Sequence, residues 1–228
     1  MNSAPPNSLS FANPAPYAAR LAFTSSGVFI LLLVALHGLR PDLDPSWRFI
    51  SEYELGDYGW VMRLAFACLA ISCVSLFLTI KSQITGAFGY IALALLLLAA
   101  FGMALAAVFV PDPVNRLHEV GAMLDHLPFA APVINWRLSK HANWSRSRRT
   151  LFWTAGLPLI GLMVFIGSMI IMLPRNGGQP GPNVLVGWPN RFMILMHCAW
   201  IMPLSWIALR DRRKNCPSDS LSIDNTQV

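Results

Sequence analysis

Charged side chains are scarce in this chain. Asp, Glu, Lys and Arg make up only 12% of its 228 residues, whereas hydrophobic residues make up 55%. An ordinary soluble domain carries about 25% charged residues. The few charges also gather between long apolar runs, as expected for a chain in hydrocarbon, because a charge in mid-bilayer costs several kcal/mol. The scarcity of charge excludes an ordinary soluble fold and indicates an integral membrane protein.

Cysteines and metal-binding motifs are also few. Cys68 and Cys73 share one apolar run, Cys198 lies in another and Cys216 lies near the C-terminus, with no C-x-x-C spacing. This pattern argues against a disulfide framework and a cysteine-based metal site. The chain also lacks an H-E-x-x-H motif, a phosphate-binding glycine loop and a dinucleotide fingerprint. Ser51 lacks the glycine context of a nucleophile elbow.

Acidic residues are outnumbered, so the net charge is +6. A basic balance can indicate a nucleic-acid partner, but no soluble domain remains to carry such a surface. The basic residues flank apolar runs, where they set orientation and meet anionic lipid headgroups. We therefore expect membrane lipids and a membrane protein as partners, and no nucleic acid.

Six apolar segments reach the roughly 20 residues that a helix needs to cross a bilayer. They predict an all-α, polytopic transmembrane helix bundle. The predicted spans are residues 21–39, 60–80, 86–110, 117–138, 151–173 and 188–209. Residues 1–20 are predicted to be a disordered N-terminal tail, and residues 210–228 a basic cytoplasmic tail.

The fourth predicted span differs from the others because it carries His118, Glu119, Asp125, His126 and Asn135. Lipid cannot accept such polar groups, so protein must shield this face of the helix. The third span, by contrast, offers the small residues Gly102 and Ala106 at helical spacing. These are predicted to let a neighbouring helix approach closely.

Lys and Arg residues predict the orientation of the bundle, because they concentrate on the cytoplasmic side of short loops. Six spans place eleven of them on one side and five on the other. The five are Arg40, Arg48, Arg116, Arg175 and Arg191. Both termini are therefore predicted to be cytoplasmic, in a multi-pass protein of the bacterial inner membrane.

Three polar connections are then predicted at the outer side, at residues 40–58, 111–116 and 174–187. We expect the polar residues at these helix ends to converge on a ligand. The predicted ligand-binding residues are Ser51, Glu52, Arg63, Asp112, His118 and Arg191. Arg63 either pairs with Glu52 or Asp112 or extends to the headgroups. His37, Tyr53, Tyr58, Trp60 and Trp188 are interpreted as interfacial residues.

Deeper in the outer half, helical rise places Asp125, His126 and His197 at similar depth. Candidate catalytic residues are His118, Asp125 and His197, since a buried carboxylate or imidazole can act as a base. His118, His126 and His197 are the candidate metal ligands. Their spacing is not diagnostic of a metal site, so no cofactor is predicted.

The outer segments resemble a bacterial membrane family of unknown function, number 998 in the domain-of-unknown-function series. The similarity covers residues 21–209 and rests on three segments. They are Ile50-Ser51-Glu52-Tyr53-Glu54-Leu55-Gly56 with Gly59-Trp60 and Arg63, Val110-Pro111-Asp112-Pro113 with His118, and Gly187 through Arg191. The resemblance implies a six-helix fold and no particular activity. Asp125 and His126 replace a mostly apolar segment of the family, so their role is particular to this chain.

Three functions remain open. The first is a protein with a polar pocket at the extracytoplasmic side, which binds a small amphiphile or a lipid headgroup. The second is an intramembrane hydrolase or transferase acting on a lipid, with or without a metal. The third is a structural accessory subunit of a membrane complex, whose polar groups serve only helix packing.

Overall fold

The computed structural model describes residues 15–125, 129–179 and 181–215, without the side chains of residues 15, 125 and 211–215. Within these ranges the fold consists of α-helices joined by turns and short 3₁₀ helices. The α-helices are α1 (Ala15–Leu39), α2 (Gly59–Ile80), α3 (Ala87–Val108), α4 (Leu117–Asp125), α5 (Ala130–Ser139), α6 (Arg148–Ala155), α7 (Leu157–Met172) and α8 (Gly187–Asn215). Most of the predicted N-terminal tail and residues 216–228 lie outside the described residues.

The all-α helix bundle is confirmed. Five helical stretches are long and apolar enough to cross a membrane: Pro16–Leu39, Gly59–Gln83, Ala87–Val108, Ala142–Asn176 and Gly187–Arg210. Each lies close to a predicted span. Each also exposes large apolar side chains, such as Leu31 on α1 and Phe88 on α3. Hydrocarbon is the solvent that accepts such an outer surface.

The helices pack in a simple order. α1 packs against α2 and α8, α2 against α3, and α8 against α7. The buried core lies among α1, α2 and α8, where Phe29, Leu69 and Trp200 are almost fully enclosed. α7 is covered mainly by α8, and most of its surface remains apolar and exposed.

The fourth predicted span is divided into two short helices, α4 and α5, and residues 126–128 between them lie outside the described residues. Both helices pack on α3. α4 lies beside the Ala106 end of α3, and Arg137 of α5 lies beside Gly86 at the other end. The pair therefore follows α3 in the opposite direction along its length. Neither helix is long enough to cross a bilayer alone. That the chain crosses the membrane six times therefore stays a prediction.

The shielding predicted for the polar groups of the fourth span is found at Asn135 on α5 and His118 on α4, whereas Glu119 on α4 is exposed. The Asn135 side chain is buried and donates from Nδ2 to the Leu151 carbonyl oxygen at 2.8 Å and to Thr154 Oγ1 at 3.1 Å. Its Oδ1 accepts a hydrogen bond from Trp200 Nε1 at 3.0 Å. This amide therefore joins α5, α6 and α8, and none of its polar atoms has to face lipid.

The close approach predicted at Gly102 and Ala106 is confirmed by α4. A Cβ atom on Gly121 would lie 2.6 Å from the Gly102 carbonyl oxygen and 3.1 Å from the Ala106 nitrogen. Only a glycine fits at this crossing, so the backbones of α3 and α4 touch there. The contact also sets the position of His118, one helical turn earlier on α4.

Replacing Gly121 with alanine should therefore destabilise the bundle. Overpacking at a crossing of two backbones costs about 1–3 kcal/mol, which outweighs the helix propensity that alanine adds. Gly167→Ala is the matched control, because nothing lies within 4 Å of a Cβ atom at Gly167 of α7. Thermal unfolding in detergent would measure the difference. Equal melting temperatures for the two variants would contradict the packing described for α4.

Candidate functional site

The connection between α1 and α2, residues 40–58, forms a folded cap over one end of the bundle and is called the outer cap below, because the sequence predicts that this end faces outward. Arg40 closes it by donating to both Asp42 carboxylate oxygens, at 2.9 and 2.7 Å. The same guanidinium donates to the carbonyl oxygens of Leu55 at 2.6 Å and Asp57 at 3.0 Å. One side chain therefore holds the beginning and the end of the outer cap together.

The outer cap is also joined to the start of α8. The Gly187 nitrogen donates to the Ser46 carbonyl oxygen at 2.9 Å. A Cβ atom at Gly187 would overlap the Pro45 backbone, so the approach requires glycine. Farther along, buried Asn190 accepts a hydrogen bond from the Ile50 nitrogen at 3.0 Å. That bond satisfies an N-terminal N–H of the 3₁₀ helix Ile50–Glu54.

Arg191 is the centre of the first polar cluster and is only 3% exposed. Its Nε donates to His37 Nε2 at 2.9 Å, and its Nη1 donates to the Arg48 carbonyl oxygen at 2.7 Å. Its Nη2 donates to the hydroxyl oxygen of Tyr53 at 3.2 Å. The side chains of His37 and Trp188 stack with ring centroids 6.4 Å apart. Arg191 thus connects α1, the outer cap and α8.

The partners of Arg191 are neutral. His37 Nδ1 lies 2.7 Å from the Leu33 carbonyl oxygen, to which it donates, so Nε2 is free to accept from Arg191. Tyr53 and two backbone carbonyls complete the set. None of the ion pairs found among the described residues includes Arg191. The exposed Asp44 interacts with this charge electrostatically but makes no ion pair with it, so the buried guanidinium still attracts anions.

A groove of about 510 Å³ begins at Arg191 and lies between α1 and α8. Its polar end is formed by His37, Trp188 and Arg191, and the rest of its lining is aliphatic or aromatic. The lining residues are Ile30, Leu33, Val34, His37, Trp188, Arg191, Phe192 and Leu195. The groove therefore joins one cationic end to a long apolar floor.

A second polar cluster lies on the other side of the outer cap, around Glu54. Its side chain is fully buried, and neither carboxylate oxygen has a hydrogen-bond partner among the described residues. His118 Nδ1 lies 3.4 Å from Glu54 Oε2 and 2.8 Å from the Phe109 carbonyl oxygen, to which it donates. Burial raises the pKa of Glu54 to about 8, although the charge of Arg63 lowers it. Glu54 and His118 therefore form a buried titratable pair.

Arg63 acts at the end of α3. Its Nε donates to the Ala107 carbonyl oxygen at 3.0 Å and its Nη2 to the Val108 carbonyl oxygen at 3.4 Å. These carbonyls are among those that an α-helix leaves unsatisfied at its C-terminus, where a positive charge is favourable. Arg63 therefore pairs with neither Glu52 nor Asp112, and its extension to the headgroups stays a prediction.

The six predicted ligand-binding residues do not converge on one point. Glu52 pairs with Arg48 Nη1 at 2.6 Å, and Asp112 accepts from the Val114 nitrogen at 2.8 Å in its own turn. Ser51 is half-buried on the outer cap. Only Arg191 reaches the α1–α8 groove, while His118 belongs to the Glu54 cluster. That any of these residues binds a ligand stays a prediction.

Asp125, His126 and His197 are predicted to lie at similar depth in the bundle. The side chain of Asp125 and the whole of His126 lie outside the described residues. His197 Nε2 lies 3.4 Å from Cys73 Sγ, and its ring packs against Trp200. His118 instead packs on Phe66, which is about 10 Å from Cys73 along α2. His118 and His197 are thus at different depths.

Metal binding is not supported by the described residues, among which no three His, Cys, Asp or Glu side chains are grouped to hold an ion. Of the three predicted metal ligands, His118 and His197 lie apart, and His126 lies outside the described residues. Whether the protein holds a metal or any other cofactor stays a prediction.

Three residues of the polar clusters are absent from the predicted binding set: His37, Tyr53 and Glu54. Tyr53 is fully buried and is therefore not an interfacial anchor. His37 is a hydrogen-bond partner of Arg191. The segment Ile50–Glu54 contains two glutamates, of which Glu54 is buried and Glu52 pairs with Arg48. Nothing in the sequence predicts which of the two is buried.

These observations define a polytopic α-helical membrane protein with two polar clusters under a folded outer cap. The chain belongs to a family described as proteins of unknown function, DUF998, whose sequence profile matches residues 23–207. The resemblance drawn from the outer segments is thereby confirmed. No curated protein and no solved structure matches the chain.

Raising the pH should loosen the outer cap. The pKa of Glu54 is about 8 in the folded protein and 4.5 in an exposed carboxyl group. Closure is therefore most favourable below pH 4.5, weakens as the pH rises from 4.5 to 8, and then levels off. Glu54→Gln removes the titrating group and should flatten this part of the pH dependence. Melting temperatures in detergent between pH 4.5 and 8.5 would measure it.

Glu119→Gln is the matched control for this experiment, because Glu119 is an exposed glutamate on α4, next to His118. It should keep the pH dependence of the wild type. If Glu54→Gln and the wild type lose stability equally between pH 4.5 and 8.5, another group is responsible for the titration.

Proposed function

We propose that the protein binds an anionic amphiphile, such as a membrane lipid, in the groove between α1 and α8. The observation that carries the proposal is the position of Arg191 at one end of this apolar groove. None of the ion pairs among the described residues includes it, and the exposed Asp44 acts on its charge without forming an ion pair. An anionic headgroup at Arg191 would complete its electrostatics, and an acyl chain would lie along the apolar floor.

The shape of the groove supports a ligand that enters from the membrane. Val34 is 65% exposed although it lines the groove, so the groove is open along its side. Phe192 and Leu195 on α8 form the facing wall. Because both helices are candidate membrane spans, the opening faces hydrocarbon, and a lipid can enter without leaving the bilayer.

The selectivity of the site follows from its charge. Arg191 carries the only formal charge among the lining residues, so a ligand with a net negative headgroup gains more than a zwitterionic one. His37 and Trp188 add a hydrogen-bonding and aromatic surface at the same level. This narrows the small amphiphile or lipid headgroup expected from the sequence to an anionic one.

The proposed location is the bacterial inner membrane, with the Arg191 cluster on the extracytoplasmic side. The asymmetry of Lys and Arg supports this orientation, since five face the Arg191 side and eleven face the other in a six-span arrangement. The groove would then receive lipid from the outer leaflet.

A lipid hydrolase or transferase is the second candidate function, and it rests on Glu54 and His118. A buried carboxyl group with a raised pKa beside an imidazole is a combination suited to general acid–base chemistry. The binding proposal assigns no chemistry to this pair. Mass spectrometry of lipids incubated with the wild type and with Glu54→Gln would separate the two, since only an enzyme produces a new lipid that the variant does not.

The binding proposal is tested with a phosphatidylglycerol that carries a photoactivatable acyl chain. Peptide mass spectrometry after illumination should find adducts in residues 30–37 and 187–195. Arg191→Gln should lower their yield about tenfold to a hundredfold at limiting lipid, because hydrogen bonds to a charged group contribute about 1.5–3 kcal/mol. Arg175→Gln, at an exposed arginine of the same predicted side, should leave the yield unchanged.

A second substitution keeps the test valid if Arg191→Gln disturbs the outer cap. Val34→Trp places a large side chain in the groove at an exposed position, where folding should tolerate it. It should also abolish the adducts, whereas Val164→Trp on the exposed face of α7 should not. Undiminished labelling of both segments in Val34→Trp would refute binding in the groove.

A further inference from the structure

The opposite end of the bundle contains another groove, of about 430 Å³, between α5 and α6. Arg137 at its end of α5 lies against Gly86 at the start of α3, whereas the Arg191 cluster lies at the other end of the bundle. The groove is lined by Pro132, Asn135, Trp136, Ser139, Arg148, Leu151, Phe152 and Ala155. Its floor is apolar, and its rim carries an arginine and an indole.

Cations gather at one rim of this groove. Lys140 Nζ lies 3.7 Å from the centroid of the Trp136 ring, and Arg137 Cζ lies 4.8 Å from it. Arg148 is held at the same rim because its Nε donates to the Ser139 carbonyl oxygen at 3.0 Å. Two positive side chains therefore lie over one aromatic ring and a third, Arg148, lines the groove beside it, although like charges repel.

No acidic side chain compensates these cations along this part of the sequence. Residues 126–210 contain no Asp or Glu, whereas residues 137–149 contain five Lys or Arg. None of the ion pairs among the described residues involves these five. Repulsion among them destabilises the empty rim, and an anion placed there would relieve it.

The surroundings of the groove indicate that this anion carries an apolar tail. Trp136, Phe152 and Trp153 are 51%, 74% and 67% exposed. Exposed aromatic side chains beside a basic rim are typical of the boundary between headgroups and hydrocarbon. Below the rim, Leu151 and Phe152 continue the groove as an apolar surface. A phospholipid fits this arrangement, because its phosphate would lie at the cations and its acyl chain along the apolar surface.

We infer that the groove between α5 and α6 binds one anionic phospholipid of the adjacent leaflet. Lys140 and Arg148 hold its phosphate at the rim, and an acyl chain lies along Leu151 and Phe152. The site is separate from the α1–α8 groove, in the opposite half of the bundle, and does not depend on the proposed function. The basic end of a membrane protein commonly faces the leaflet that is rich in anionic lipid, which would supply the ligand.

The test uses the full-length protein and the photoactivatable phosphatidylglycerol, with adducts mapped to residues 129–139 and 148–155. Lys140→Gln combined with Arg148→Gln should lower the yield in these segments at least tenfold. Arg146→Gln combined with Arg149→Gln removes the same charge at described residues that neither line the groove nor lie over the Trp136 ring, and should leave the yield within twofold. Adducts at residues 187–195 should be unchanged in both, so this site is scored independently of the α1–α8 groove.

Equal losses in the two double variants would overturn the site, since the lipid would then be attracted only by the summed charge. The same photoactivatable group on phosphatidylcholine should label these segments at least tenfold less, and equal labelling would contradict recognition of an anionic headgroup. Inorganic phosphate at millimolar concentration should not displace the lipid. Full displacement would mean that the rim binds free phosphate without needing the apolar floor.

The acidic residues of the C-terminal segment are the remaining competitor for the rim. Asp211, Asp219 and Asp224 are the acidic residues of positions 210–228, and replacing all three with Asn removes their charge from the intact chain. The lipid site predicts unchanged labelling of residues 148–155 in this variant. Labelling that appears only after these substitutions would make the C-terminal segment the occupant and overturn the inference.

Discussion

Arg191 holds the outer half of the protein together. Its guanidinium reaches α1 through His37, the outer cap through Tyr53 and the Arg48 carbonyl, and its own helix α8 through Gly187. Each of these partners is neutral, so the bonds use four of the five N–H groups of Arg191 without cancelling its charge, and one N–H of Nη2 remains for a ligand. The structure therefore keeps a positive charge in a buried place. That charge gives the adjoining groove its polar end.

The outer cap separates this charge from a buried carboxyl group that follows Tyr53 in sequence. Side chains of neighbouring residues in a 3₁₀ helix point about 120° apart. In the segment Ile50–Glu54, Tyr53 accordingly faces Arg191 whereas Glu54 faces His118 on α4. A direct ion pair between Glu54 and Arg191 would neutralise both. The short helix instead creates two clusters with different chemistry, one that attracts anions and one that binds a proton.

The two grooves follow one physical pattern at opposite ends of the bundle. Each begins with positive charge and aromatic rings and continues as an apolar surface between two helices. They differ in burial, because Arg191 is enclosed by hydrogen bonds whereas Lys140 and Arg148 are exposed at a rim. The enclosed arginine should recognise a headgroup more selectively, since its geometry is already set, and the exposed cations should depend more on ionic strength.

Much of the fold can be predicted from the sequence alone. A chain in hydrocarbon must form long apolar helices, and Gly102 and Ala106 predict a close helix crossing. The tertiary structure decided the rest. The fourth predicted span is divided into α4 and α5, and Arg63 donates to carbonyls at the end of α3. Glu54 is buried, whereas Glu52 pairs with Arg48. These features depend on contacts between groups that are far apart in sequence. Local composition and spacing contain no information on which of these groups come together.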